Sequence, residues 1–190
     1  MKIFDFDNTI YDGESCLDFF LFCLKRKKTL CVHLPSVIYN LIRYKMGRAE
    51  IDSVYAFCDR MMGVFFENSA YADALLEEFW DENIKKLKPE ILSLVNEADA
   101  VISASPRFLL EKISDKLKAK TLICTETESD RVLFLCYGKN KVKAFVEKFR
   151  DAEIEAFYTD SVSDVPMMKK AKKAYMVKGT RIELINISEI

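Results

Sequence analysis

Two carboxylates two residues apart, Asp5 and Asp7, close an apolar opening segment, MKIFDF, and two more, Asp160 and Asp164, follow a second such segment, IEAFYT. Ser103 and Ser105 stand at the end of a third, ADAVIS, and Lys141 lies at the start of the run NKVKAFVEKFR. Four acids brought together repel one another, and a divalent cation relieves that repulsion; oxygen donors with no His or Cys among them favour Mg²⁺. A carboxylate can also attack phosphorus and form an aspartyl-phosphate, provided that anion, phosphoryl group and metal share one place. The equatorial oxygens of that phosphoryl group then need a cation and a hydroxyl donor, which Lys141 and Ser103 could supply. The only imidazole, His33, lies in an apolar stretch away from acids and nucleophiles, which speaks against Ser-His-Asp and Cys-His catalysis. Six cysteines (Cys16, Cys23, Cys31, Cys58, Cys124, Cys136) are scattered without a CxxC pair. They have the spacing of neither a zinc site nor a disulfide framework, and read as small buried apolar side chains.

Such groups meet only if the chain folds to bring them together. MKIFDF reads as a buried strand that delivers the polar loop DNTIYDGE. Residues 15 to 87 hold few turn signals beyond Pro35, Gly47 and Gly63, and their apolar residues recur at helical spacing, as in Leu17, Phe20, Leu21 and Leu24. Several helices and no strands are expected there. After Pro89 the pattern alternates: helix 90 to 97, strand 98 to 103, helix 106 to 118, strands 120 to 125 and 131 to 137, helix 140 to 150, strand 154 to 159, a short helix from Asp164, and strand 174 to 178. Strands separated by helices imply an α/β fold with a central parallel sheet. The helical block is then an insertion after the first strand, which divides the chain into a core of residues 1–14 and 88–190 and an insertion of residues 15–87. In open parallel sheets, reactive groups gather at the carboxyl ends of the strands. Asp5, Asp7, Thr9, Ser103, Ser105, Asp160 and Asp164 all fall there.

The chain has 190 residues, 29 basic and 30 acidic, with half of all residues hydrophobic, the composition of an ordinary soluble globular protein. A formal net charge of −1 argues against general nucleic-acid binding, which needs a clearly basic surface. No apolar run reaches the length of a membrane span, and Asp5 and Asp7 stand where a signal peptide would need a positive start and an apolar stretch. A cytoplasmic protein is the expectation.

In order along the chain, DFDNT (5 to 9), ISASP (102 to 106), the Lys of CYGKNK (136 to 141) and DSVSD (160 to 164) resemble the four motifs of the haloacid dehalogenase superfamily of hydrolases. The likeness is to its phosphoserine-phosphatase-like branch, and it spans the whole chain. The resemblance implies a Rossmann-like core with a helical cap inserted after the first strand. It implies that Asp5 attacks phosphorus, and that Asp7 protonates the leaving alcohol and then activates water. It further implies that Asp5, the main-chain carbonyl of Asp7 and Asp160 bind Mg²⁺, that Asp164 supports the metal's waters and orients Lys141, and that Thr9, Ser103 and Lys141 hold the substrate's phosphoryl oxygens. An acid two residues after the nucleophile distinguishes phosphatases of this superfamily from its dehalogenases, and Asp7 supplies it. Two positions depart from the pattern: Asn8 and Thr159 stand where Gly is common. Lys139 and Lys143 flank Lys141 closely, and only the family spacing selects Lys141.

Specificity is expected in the insertion, which would close over the phosphate site and exclude water. Glu14, nine residues after Asp5, matches a substrate-binding Glu of phosphoserine phosphatases and equally suits the N-terminal end of a helix dipole. Arg60 reads either as a grip on a substrate carboxylate or as a surface residue of a helix. The stripe Phe19, Phe20, Phe22, Phe65, Phe66, Phe79 and Trp80 reads as cap core. Residues 19 to 49 hold seven basic groups and no acid, so the rest of the chain carries −8, the difference between −1 and +7. The basic groups flank an apolar stretch, TLCVHLPSVIYNLI. This segment either forms a solvated cap end that draws in anionic esters or rests on an anionic membrane surface. The functional expectation is a small cytosolic phosphate ester as substrate. Its alternatives are a lipid phosphate of the phosphatidylglycerophosphate kind hydrolysed at a membrane surface, a non-catalytic phosphate-binding module, and transfer of the phosphoryl group to an alcohol. The oligomeric state is left open.

Overall fold

The computed structural model describes residues 1–26, 28–46, 69–128 and 131–189, together with Ala56. Its centre is a sheet whose strands lie in the order β4-β3-β2-β1-β5-β6-β7. The inner strands β3 (Thr121–Glu128), β2 (Ala100–Pro106), β1 (Lys2–Phe4), β5 (Ala156–Thr159) and β6 (Ala174–Lys178) are parallel. The chain fills one side of β1 with β2 and β3 and the other with β5 and β6. The crevice where that order reverses therefore opens at the carboxyl end of β1, the place such sheets use for ligands.

Strand period sets the two faces. Phe4 and Val101 point into one apolar cluster, while Ile3, Ala100, Ile102 and Phe157 point into the other. The register pairs Phe4 with Tyr158 and Tyr158 with Tyr175, and the three rings stack across β1, β5 and β6 at centroid separations of 4.6 and 4.8 Å. On the second face lie Ala144 and Phe145 of α6 (Lys139–Phe149) and Met167 and Met168 of α7 (Val165–Met168).

The helical insertion contributes α1 (Ser15–Arg26), α2 (Leu34–Lys45) and α3 (Ser69–Asn83). Phe19 and Phe22 of α1 meet Phe79 of α3 edge to face, and Trp80 packs against Phe6 and Tyr11 of the loop after β1. These side chains belong to the same apolar cluster as Phe4 and Val101, so the described base of the insertion is continuous with the sheet's first face. Burying rings of this size stabilises by about 2–3 kcal/mol each, so the loop after β1 is clamped between α3 and the sheet. Phe65 and Phe66 lie outside the described residues. Among the described residues no helix is long and apolar enough to cross a membrane.

Several sequence expectations are corrected. The expected central parallel sheet is present in the five inner strands, but β4 (Arg131–Phe134) and β7 (Arg181–Ile185) run antiparallel at its two edges. β7 was not expected at all. It follows β6 through Gly179 and Thr180, a connection too short for a parallel crossover, and Gly179 takes the positive φ of 62° that a tight hairpin demands. The helix expected at 90 to 97 shrinks to α4 (Pro89–Leu92), and that at 106 to 118 to α5 (Arg107–Glu111) with a 3₁₀ turn at Ser114–Lys116. Both breaks carry the same cause. Ser93 Oγ donates to the Glu90 carbonyl and Ser114 Oγ to that of Glu111, which offers the backbone an alternative to another helical turn. The cysteines are not uniformly buried: Cys16 and Cys31 are exposed and Cys58 lies outside the described residues. Burial pushes the Cys23 and Cys136 thiols up to about 12, so these two behave as inert apolar groups.

Candidate active site

Asp5 follows β1 directly, and its main-chain N–H donates to the Tyr158 carbonyl of β5 at 2.8 Å. The chain then wraps tightly, with the Phe6 carbonyl accepting from the N–H groups of Thr9, Ile10 and Tyr11. Asn8 sits at φ 54°, a left-handed conformation that Asn tolerates better than most side chains. An Asn where Gly is common therefore keeps the turn, and it adds a bond: Nδ2 donates to Glu14 Oε1 at 2.6 Å. Gly13 has φ 140°, and a Cβ there would stand 2.9 Å from Asp18 Oδ2. Only glycine fits that approach to α1.

Lys141 lies on the buried face of α6 with Ala144 and Phe145, three and four residues on, whereas Lys139 and Lys143 are exposed. Of the three neighbouring lysines it alone enters the site. Its Nζ donates to Asp5 Oδ1 at 2.8 Å and to Asp164 Oδ2 at 2.7 Å, with all three side chains almost sealed from solvent. Thr159 Oγ1 donates to the same Asp164 oxygen at 2.8 Å, a contact a glycine could not make. Burial favours discharging the Lys141 ammonium, but Asp164 and Asp5 outweigh it and hold its pKa above the ordinary lysine value. Burial pushes the Asp5 carboxyl well above the usual carboxylate range, Lys141 pulls it down, and Asp164 and Asp160 push it up again.

Asp7 has different company. Its Oδ2 accepts from Ser105 Oγ and its Oδ1 from the Ser15 N–H that opens α1, both at 2.6 Å. Ser15 Oγ meets Ser105 Oγ at 2.9 Å, so two hydroxyls from distant segments fix one carboxyl. Burial raises the Asp7 pKa, and the bonds from Ser105 and Ser15 lower it in part. Ser103 is fully buried, and its Oγ accepts from the Ser105 N–H at 3.0 Å.

Asp160 is half-buried at the end of β5, and burial pushes its pKa up to about 6, with Lys141 opposing and Asp164 and Asp7 adding to the rise. Asp5, Asp7, Asp160 and Asp164 thus crowd against one bonded ammonium. Among the described residues no three His, Cys, Asp or Glu side chains form a ready metal cage, and Asp164 is turned to Lys141 and Thr159. Two observations nonetheless suit a hard divalent ion with its water or phosphate oxygens: the donor set is all oxygen, and Asp164 Oδ1 is buried with no partner among the described residues. Thr9 Oγ1 is likewise buried and unpartnered there. The residues fit Mg²⁺.

Glu14, partly exposed, precedes α1 and is engaged by Asn8. Arg60 lies outside the described residues. Three residues that sequence reasoning gave no role support the site. Ser15 and Ser105 hold Asp7, and the position of Ser105 after a strand was the only hint. The third is Lys88, only 6% exposed, whose Nζ donates to the main-chain carbonyls of Asn8 at 2.5 Å and Gly179 at 2.9 Å. It ties the loop after β1 to the β6–β7 hairpin. Burial lowers its pKa, against Asp12 and Asp160.

The fold resembles that of a Bordetella pertussis Tohama I protein of unknown function, with a TM-score of 0.75 and 21% identity over 92% of this chain and 87% of that one. It also resembles a phosphoserine phosphohydrolase-like protein from Francisella tularensis subsp. tularensis SCHU S4, with a TM-score of 0.62 and 20% identity over 92% and 86% of the two chains. A phosphoserine phosphatase captured as a phospho-aspartyl intermediate analogue aligns with a TM-score of 0.60 and 17% identity over 90% and 83%. No curated protein matches the chain. The model of the haloacid dehalogenase-like hydrolases matches residues 3–169, and with the motifs on the strand ends described above the chain belongs to that family.

Proposed function

We propose that the chain is a Mg²⁺-dependent phosphatase that hydrolyses a small phosphate monoester through an aspartyl-phosphate on Asp5. The observation that carries this reading is the opposite company of two carboxyls two residues apart: Asp5 bonded to the Lys141 ammonium, Asp7 to two hydroxyl-bearing serines. The Lys141 ammonium opposes the burial that raises the Asp5 pKa, and so favours the anionic form that attacks phosphorus. As the Asp5 oxygen bonds to phosphorus, the ester P–O bond breaks and the departing oxygen takes a proton from Asp7. The raised Asp7 pKa suits a group that must hold that proton. Water then attacks the same phosphorus and yields its proton to Asp7, inorganic phosphate leaves, and Asp5 is restored. Lys141, Ser103 and Thr9 are proposed to meet the phosphoryl oxygens. Mg²⁺, held by Asp5, the Asp7 carbonyl and Asp160 with Asp164 behind, would supply charge stabilisation for the transferring group.

The far end of the substrate falls to Glu14, which suits an ammonium, and to Arg60, which suits a carboxylate. The proposed division is a core of residues 1–14 and 88–190 with residues 15–87 as cap. The free thiols of Cys23, Cys124 and Cys136 suit a reducing compartment, and the proposed location is the cytoplasm. A broad screen of phosphate esters with Mg²⁺, using Asp5→Asn as blank, tests the reading. Turnover of at least one ester by the wild type alone supports it. Equal turnover by Asp5→Asn, or none by either, refutes it.

A further inference from the structure

We propose that the exposed face of α2, with the basic residues beside it, docks this protein on an anionic lipid bilayer. Six of the ten exposed large apolar side chains among the described residues lie within residues 21–46: Leu21, Val32, Ile38, Tyr39, Ile42 and Met46. Their exposures run from 38% to 72%, and that of Val32, in the 3₁₀ segment just before α2, is the largest. At about 100° per residue, positions 38, 42, 46 and 39 span a single arc of roughly 100° on the α2 axis. Val37, a buried residue of α2, points away from that arc. The helix is thus apolar toward the protein at Val37 and apolar again on its outward side.

The charges select the occupant. Residues 19–49 carry seven Lys or Arg and no acid in a chain whose net charge is −1. Lys25 and Lys28 are exposed at the turn that leads into α2, and Arg43 lies 5.7 Å from the ring of Tyr39 on α2 itself. Arg26 is spoken for by Glu78 and Glu82 of α3. A second copy of the chain would bring this acid-free segment against itself in a two-fold contact, so like charges would meet. A nucleic acid would answer the charges and leave the isoleucines in water. A bilayer with anionic headgroups answers both: apolar side chains enter the acyl boundary, Tyr39 sits at headgroup level, and the basic groups meet phosphates. The docking surface is independent of the proposed chemistry, and it holds whether the substrate is a lipid phosphate or a soluble ester met near the membrane.

The test is flotation of the full chain with vesicles of phosphatidylcholine alone and of phosphatidylcholine with phosphatidylglycerol, each at low and high salt. Binding to the anionic vesicles, weak on neutral ones and reduced by salt, is expected. Each near-surface Lys or Arg strengthens binding about fivefold, so Lys25→Gln with Lys28→Gln should weaken it roughly 25-fold. Ile38→Asp with Ile42→Asp should abolish it. Melting temperature and aryl-phosphate turnover, both expected to be unchanged, control for folding in each variant. Indifference to anionic lipid overturns the proposal, as does binding undiminished in either double variant. A concentration-dependent dimer that Ile38→Asp with Ile42→Asp dissolves would assign the face to a second copy and overturn it too. Failure here with active enzyme leaves the phosphatase reading standing.

Discussion

Lys141→Met isolates the buried charge arrangement on which the site rests. Methionine fills similar space but leaves Asp5 and Asp164, both almost sealed from solvent, without their shared ammonium. Removing one partner from a buried ion pair costs about 3–5 kcal/mol. In a chain of this length each kcal/mol moves the melting temperature by about 2–4 °C, so a fall of roughly 6–20 °C follows. Thermal unfolding followed by circular dichroism, in chelator at about pH 8, measures it. The sign of its pH dependence is fixed. The folded variant holds Asp5 with its pKa raised by burial and now without its countercharge, so it binds protons more tightly than the unfolded chain. Its deficit must therefore shrink as pH falls toward the ordinary Asp range. Adding Asp164→Asn should restore part of the loss by removing one orphaned charge, with no recovery of turnover. A melting temperature within about 2 °C of wild type, or a deficit that grows on acidification, would refute the reasoning.

Asp160 has a folded pKa of about 6, above the ordinary 3.8, so its ionisation destabilises the metal-free protein by about 2–3 kcal/mol above that pH and by nothing below the ordinary value. Asp160→Asn should raise the melting temperature in chelator at about pH 8 and gain less than wild type from added Mg²⁺, the ion proposed to bind there; an Asn variant less stable in chelator contradicts this. Ser105→Ala removes a bond that favours ionised Asp7, so the limb of the kcat/KM pH profile belonging to that group should move to higher pH. An unmoved profile counts against Asp7 as the acid. Lys88→Met leaves the carbonyls of Asn8 and Gly179 unanswered, at about 1–3 kcal/mol each, and loosens the loop that carries Asp7. Steady-state kinetics should show kcat falling more than KM, and an unchanged kcat would remove Lys88 from any positioning role.

The inner sheet was legible because each parallel strand is a short apolar run ending in a polar residue, and those polar ends mark the crevice. Its edges were not. β7 follows a Gly-Thr pair that carries only half of a hairpin signature, and its alternation, RIELI, is brief. The truncated helices after Pro89 and Pro106 hinge on single serine hydroxyls that compete for carbonyls, an effect that periodicity cannot register. Lys141 could be chosen among three lysines only by family spacing, whereas burial on α6 decides it from physics. Lys88 was invisible for a different reason. Its partners are main-chain carbonyls 80 and 91 residues away, and a lysine beside a proline carries no signal of burial. Asn8 and Thr159, read as departures, have bonding roles of their own toward Glu14 and Asp164.

The central claim is that Asp5 becomes covalently bonded to phosphorus. Acid quenching during turnover of a radiolabelled phosphate ester, followed by peptide mapping, tests it directly. The account predicts label on the peptide that contains Asp5, stable in acid, released by hydroxylamine, and absent from Asp5→Asn. Turnover without protein-bound label under conditions that trap the intermediate, or label on any other side chain, would contradict it.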